Sequence, residues 1–122
     1  MKRISIPGAE HPIAVEPNPK RVRILSHAKV VADTRRALVL RETGLAPVQY
    51  IPREDADMSL LQRTDHRTYC PYKGDCCYFS IRIGEHLAEN AVWCYESPYP
   101  AVAAIARHLA FYPNRVDAID ES

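Results

Sequence analysis

The residues best equipped for chemistry are gathered in Thr68-Tyr-Cys-Pro-Tyr-Lys-Gly-Asp-Cys-Cys-Tyr78. This stretch holds three cysteines, three tyrosines and the sequence's only Lys-Gly pair. A tight loop here would present Lys73, with a strand beginning near Asp75. A lysine held away from water can hold an anion, or act as a base or nucleophile. Cys70 lies three residues earlier, with His66 and Arg67 close in sequence. Cationic neighbours favour the thiolate, which is the nucleophilic form. Pro71 restricts Cys70 to extended geometry. That geometry suits a reactive thiol and equally a thiol packed beneath the loop, and the packed role is the preferred expectation.

A polar pocket with an aromatic wall is the functional reading that takes in most of these residues. Glu42 and Asp55 follow predicted strands, and Arg53 is adjacent to Asp55 in the same polar stretch. Tyr50, Trp93 and Tyr95 supply rings. Along a strand over 91–96, Trp93 and Tyr95 share one face and Cys94 takes the other. Flat apolar surface beside a few fixed charges is how small-molecule sites are built. In such a pocket Lys73 and Arg53 would hold negative charge, Glu42 and Asp55 would orient cations or accept protons, and the rings would stack on a flat ligand. The competing expectation makes Trp93 and Tyr95 plain core, with Glu42–Arg53 or Asp55–Lys73 as structural ion pairs. Whether the chain is an enzyme stays open: Lys73 or Cys70 are the catalytic candidates, and a protein-interaction module without a small ligand is the third reading.

Other chemistries fit less well. Polymerase-like nucleotidyl transfer needs a Gly-Ser phosphate loop and a pair of aspartates for two metal ions. Asp55-Ala-Asp57 has the spacing, but no Gly-Ser precedes it. Lys73-Gly-Asp75 has the letters of a ligase-type lysine motif in the wrong order. Zinc could draw on Cys70, Cys76 or Cys77, Cys94 and His66 or His86, yet no C-x₂₋₄-C knuckle is present. Free thiols that behave as small hydrophobes are expected instead. No metal or cofactor is therefore expected. His11, His27 and His108 are scattered and read as surface or satisfied core.

The chain has 122 residues, 47% of them hydrophobic and 25% charged, with a formal net charge of +1. Those proportions suit one folded domain with one modest core. A charge this small gives no field to draw the chain to nucleic acid or a membrane. No apolar run is long enough to span a bilayer, and the N-terminus lacks the apolar stretch of an export signal. The cytoplasm is the expected location, with the four cysteines reduced. Cys76 and Cys77, adjacent in a strand, should point to opposite faces.

Positioning these groups falls to short strands. Residues 1–20 carry four prolines and read as an extended arm with at most one short edge strand. Residues 21–119 form the domain. Strands are predicted over 21–25, 29–33, 37–41, 47–51, 76–83, 91–96, 108–112 and 116–119, with turn residues between. A helical turn is expected at 53–57, a charged loop at 63–67, a polar loop or helical turn at 85–90, a short helix over 101–107 and a frayed acidic tail. The pattern implies a mainly β fold: a small antiparallel sandwich or open barrel with one or two short helices. The expected core is Val30, Leu38, Leu40, Phe79, Ile81, Trp93, Ile105, Leu109 and Phe111. Exposed strand edges near the N-terminus could pair with a second copy to give a homodimer.

Five motifs in order carry a family resemblance: Arg36-Ala-Leu-Val-Leu-Arg-Glu-Thr-Gly44, Tyr50-Ile-Pro-Arg-Glu-Asp55, Thr68-Tyr-Cys-Pro-Tyr-Lys-Gly74, Trp93-Cys-Tyr95 with Pro98, and Ala110-Phe-Tyr112. Together they resemble the domain of unknown function 427 family, also labelled nucleotidyltransferase domain 9. The positions that match are Glu42, Tyr50, Pro52, Arg53, Asp55, Cys70, Lys73, Gly74, Tyr78, Trp93, Tyr95, Phe111 and Tyr112. Cys76, Cys77 and Cys94 depart from the family pattern, where small or hydroxyl residues are usual. The resemblance implies a compact β-rich domain, often standing alone in bacteria, and brings no mechanism with its transferase label.

Overall fold

Alternating residues in the strand Gly74–Ile83 divide the interior in two. Cys77, Phe79 and Ile81 enter one hydrophobic cluster, while Cys76 and Tyr78 enter another. This is the period-two geometry of a strand buried on both faces. The computed structural model describes residues 2–122. Among these residues ten strands make three antiparallel sheets, joined in part by short 3₁₀ turns.

In chain order the strands are β1 (Ile13–Pro17), β2 (Val22–Ser26), β3 (Lys29–Thr34), β4 (Leu38–Glu42), β5 (Val48–Tyr50), β6 (Leu61–Cys70), β7 (Gly74–Ile83), β8 (His86–Cys94), β9 (Leu109–Phe111) and β10 (Ala118–Glu121). The sheets run β1-β4-β5, β10-β2-β3 and β6-β7-β8-β9. Ile51 and Leu109 exchange two backbone hydrogen bonds of 2.8 Å, which continue the first sheet into the third. Ala32 bridges Ala56, and Asp57 N–H donates to Val31 at 2.7 Å, tying the second sheet to the chain after β5. The result is a small β-sandwich. Among the described residues no helix is long and apolar enough to cross a membrane.

The larger cluster joins β2 and β3 to β7, β8 and β9 through Val22, Ile24, Val31, Phe79, Val92 and Phe111. The smaller one lies on the opposite face of β7–β9, where Leu40, Tyr50, Cys76, Tyr78, Tyr95, Val102, Ile105 and Ala110 meet. Every tyrosine of that second core brings a hydroxyl. This polar-tipped face becomes the floor of the site.

Four expectations need correction. The supposed charged loop at 63–67 is the middle of β6, and the polar stretch at 85–90 is the start of β8. Both segments face water over much of their length, so polarity there reflects exposure rather than a broken ladder. Pairing is interrupted in each: register shifts fall between Arg63 and Arg67 and between Phe79 and Ile81. The acidic tail is paired, not frayed: β10 runs along β2, and Ser122 and Arg21 exchange backbone bonds of 2.9 and 3.1 Å. The helix at 101–107 is a 3₁₀ segment, Pro100–Ile105, broken at Val102, which still buries Val102 and Ile105.

Among expected core residues, Val30 is 47% exposed while Val31 is fully buried. A register shift between Ile24 and Leu25 separates the two. A one-residue slip exchanges the faces of a strand. Leu38 and Trp93 are half-buried and the other six are buried.

Candidate functional site

Lys73 occupies the turn between β6 and β7. Its N–H donates to Cys70 at 3.2 Å, and its carbonyl accepts from Tyr99 at 3.0 Å. Gly74 follows at φ +108, a conformation open to glycine and strained for any other residue. Held in this way, the Lys73 side chain is only 9% exposed. An ammonium so enclosed needs a partner. Glu42, at the last position of β4, provides it: Nζ donates to Oε1 at 2.6 Å, and the Glu42 side chain is 7% exposed. The second carboxylate oxygen lies 2.7 Å from His11 Nε2, and the His11 ring stacks on Tyr72 at 4.2 Å. Burial opposes the Glu42 charge, but the hydrogen bonds from Lys73 and His11 outweigh it and hold its carboxyl below the usual glutamate range.

The Lys73–Glu42 pair borders a cleft of about 190 Å³. Tyr50, Tyr78, Trp93, Tyr95 and Tyr112 line it with rings, and Leu40, Val48 and the Leu45–Ala46 segment with aliphatic surface. Trp93 Nε1 donates to the Tyr50 hydroxyl at 3.2 Å, the two rings meeting edge to face at 88°. Tyr112 also packs on the indole, tilted by 45° with 4.5 Å between centroids. Burial pushes the phenols of Tyr50, Tyr78 and Tyr95 above the ordinary tyrosine range, so all three remain protonated donors at neutral pH. A second cleft of about 300 Å³ adjoins the first and shares Ala46, Val48 and Trp93 with it.

Five of the seven residues expected to form one pocket therefore meet: Glu42, Tyr50, Lys73, Trp93 and Tyr95. Arg53 and Asp55 do not join them. Arg53 lies against the larger core, its guanidinium 5.5 Å from the Phe79 ring, 3.0 Å from Cys94 Sγ and 3.2 Å from Glu96. Asp55 accepts from the Thr34 hydroxyl at 2.7 Å and from Arg36 at 3.1 Å. The expected pairs Glu42–Arg53 and Asp55–Lys73 are in fact Glu42–Lys73, Arg53–Glu96 and Asp55–Arg36. Asp57 caps the following 3₁₀ turn through Ser59 N–H at 3.1 Å. The two aspartates of Asp55-Ala-Asp57 thus have separate structural duties.

Cys70 is half-buried, with its sulfur 3.8 Å from Lys73 Nζ. The other three thiols are buried. Among the described residues, one cluster has ligand atoms close enough for a metal: Cys77, Cys94 and Glu96, within 4.8 Å of one another. Its chemistry suits a metal cation poorly. Arg53, Arg63 and Arg107 approach Glu96 at 3.2, 2.7 and 3.4 Å, so three guanidiniums already supply the positive charge. Burial pushes the Cys94 thiol up to about 12 and raises Cys77 as well. The other zinc candidates are dispersed: His86 stacks on His27 and His66 tilts over Tyr78.

Sequence reasoning missed His11 at the carboxylate and Tyr78 and Tyr112 in the cleft wall. Alternation from Cys76 along β7 could have found Tyr78. Nothing local marks His11, which reaches Glu42 across 31 residues of chain.

No curated protein matches the chain. The family described as Domain of unknown function (DUF427) matches residues 14–122, which takes in both sides of the cleft and leaves out only residues 1–13, the part of the N-terminal arm that carries His11. The five motifs and that match over nearly the whole length agree, and the chain belongs to the DUF427 family.

Proposed function

We propose that the chain is a small-molecule binding domain whose ligand, small and polar or anionic, occupies the cleft between Lys73 and Trp93. One observation carries this reading: a buried ion pair between residues 31 positions apart stands at the edge of a ring-lined cleft instead of inside closed core. A pair serving the fold alone is costly to desolvate, and packed apolar residues do the same work as well or better. A pair left beside open aromatic surface has a use for its charge. Lys73 supplies the donor, Glu42 and His11 fix its position, and Trp93 with Tyr95 gives the ligand a flat face.

A screen of nucleotides and small metabolites by thermal shift tests the proposal. The expected result is at least one ligand that raises the melting temperature of the native chain and fails to do so for a folded Lys73→Met variant. A screen without any such ligand overturns it.

A catalytic reading draws on the 3.8 Å approach of Cys70 to Lys73. It requires that Cys70→Ser stop turnover of the bound compound while its affinity is kept. Unchanged turnover in that variant rejects Cys70 as the nucleophile.

A further inference from the structure

The hydrogen-bonding inventory of the cleft narrows the ligand class, on the footing that the cleft is a binding site at all. Glu42 is committed: one oxygen accepts from Lys73 and the other bonds His11. Lys73 has three N–H donors. Glu42 takes one at 2.6 Å, and Cys70 sulfur is a weak partner for another at 3.8 Å, which leaves a third. The Tyr50 hydroxyl accepts from Trp93, while its own proton has no acceptor among the described residues. The Tyr95 hydroxyl has no hydrogen-bond partner among the described residues. Since every fully buried side-chain oxygen and nitrogen among them is satisfied, that hydroxyl must be reached by solvent, although Tyr95 as a whole is only 7% exposed. The cleft thus offers free donors, on Lys73 Nζ and the Tyr95 hydroxyl, beside the remaining acceptor lone pairs of Glu42 and of the tyrosine hydroxyls.

Charge and size restrict the choice further. Lys73 and Glu42 cancel, so the pair gives the wall no surplus positive charge, and a dianion would also meet the Glu42 carboxylate, which lines the same cleft. A cleft of about 190 Å³ is close to the roughly 150 Å³ cavity that encloses benzene. One ring fills it, and a larger ligand would have to extend into the adjoining second cleft.

We infer that the cleft takes a single flat ring bearing an uncharged carbonyl acceptor, the ring against Trp93 and the carbonyl oxygen toward Lys73 and Tyr95, and that phosphate-bearing ligands are excluded.

Trp93 is the sole tryptophan and stands in the cleft wall, so its fluorescence reports occupancy. The test is a titration of the native chain with benzamide, benzoate, inorganic phosphate and ATP. Benzamide should change the emission and saturate, with benzoate weaker and phosphate and ATP without effect. Tyr95→Phe keeps the ring and removes one donor, and should weaken benzamide about three- to tenfold, the worth of one net hydrogen bond. Circular dichroism checks that this variant is folded. Benzoate binding tighter than benzamide, or phosphate or ATP binding in place of benzamide, overturns the narrowing and leaves the cleft as an anion site. An unchanged benzamide affinity in Tyr95→Phe overturns the assigned carbonyl position. Silence from all four probes, together with an empty metabolite screen, overturns the binding proposal itself.

Discussion

Lys73 Nζ lies 2.6 Å from Glu42 Oε1, and neither side chain is more than a tenth exposed. One residue ends a strand of the first sheet and the other turns between two strands of the third. The pair therefore locks two sheets together at the mouth of the cleft.

Breaking this pair from one side should destabilise more than removing both charges. Lys73→Met leaves Glu42 buried with His11 as its remaining partner, and should cost about 3 kcal/mol, the low end for a buried pair because the cleft admits water. The double variant Lys73→Met with Glu42→Leu should recover part of that loss. Urea unfolding of the double variant and of both single variants measures it, and a double-variant loss equal to the sum of the single losses would show that the two charges are not coupled.

Acid should weaken the fold through the same carboxylate. The folded Glu42 titrates below its ordinary value of 4.5, so it contributes stability that is fully present above that value and is lost as pH falls through the lower folded one. Glu96, lowered by Arg63, Arg53 and Arg107 against its own partial burial, acts in the same direction. The urea midpoint should therefore drop on acidification through the carboxylate range, and by more in the native chain than in Glu42→Gln, which has no proton to take up at this position. Parallel pH profiles for the two would remove Glu42 from this role.

Thiol labelling should be graded by burial. Cys70 is half-buried, whereas Cys76, Cys77 and Cys94 are buried, and burial pushes all three of those thiols above their ordinary range. Alkylation at mildly alkaline pH should label Cys70 first and the rest on the timescale of unfolding. Peptide mass mapping over time reads the order, and Cys70→Ser should lose the fast phase.

Gly74 should tolerate no side chain at its φ of +108. Space is not the obstacle, since an added Cβ would stand 3.6 Å from the Ser97 carbonyl, an ordinary contact. Backbone strain is, at about 1–3 kcal/mol. Gly74→Ala should lower the melting temperature and, by moving the Lys73 turn, weaken any cleft ligand. Differential scanning calorimetry checks the first effect and the Trp93 titration the second.

The sequence by itself determined the strand-rich architecture and the faces of its two clearest strands. Cys76 and Cys77 diverge into different cores, and Trp93 parts from Cys94, because side chains alternate in any extended chain. It also singled out the loop that carries Lys73, through the Cys-Pro and Lys-Gly pairs that restrict or free the backbone. Polar stretches mislead, since the run 63–67 belongs to a strand whose partner is β7 and whose exposure says nothing of its hydrogen bonds. Only the tertiary structure decided which charges pair. Glu42 could have met Arg53, and Lys73 could have met Asp55; the choice depended on how the first sheet docks on the third through Ile51 and Leu109. Ion pairing between distant segments is set by that packing, which brings His11, Glu42 and Lys73 together and turns Arg53 to the opposite face of the third sheet.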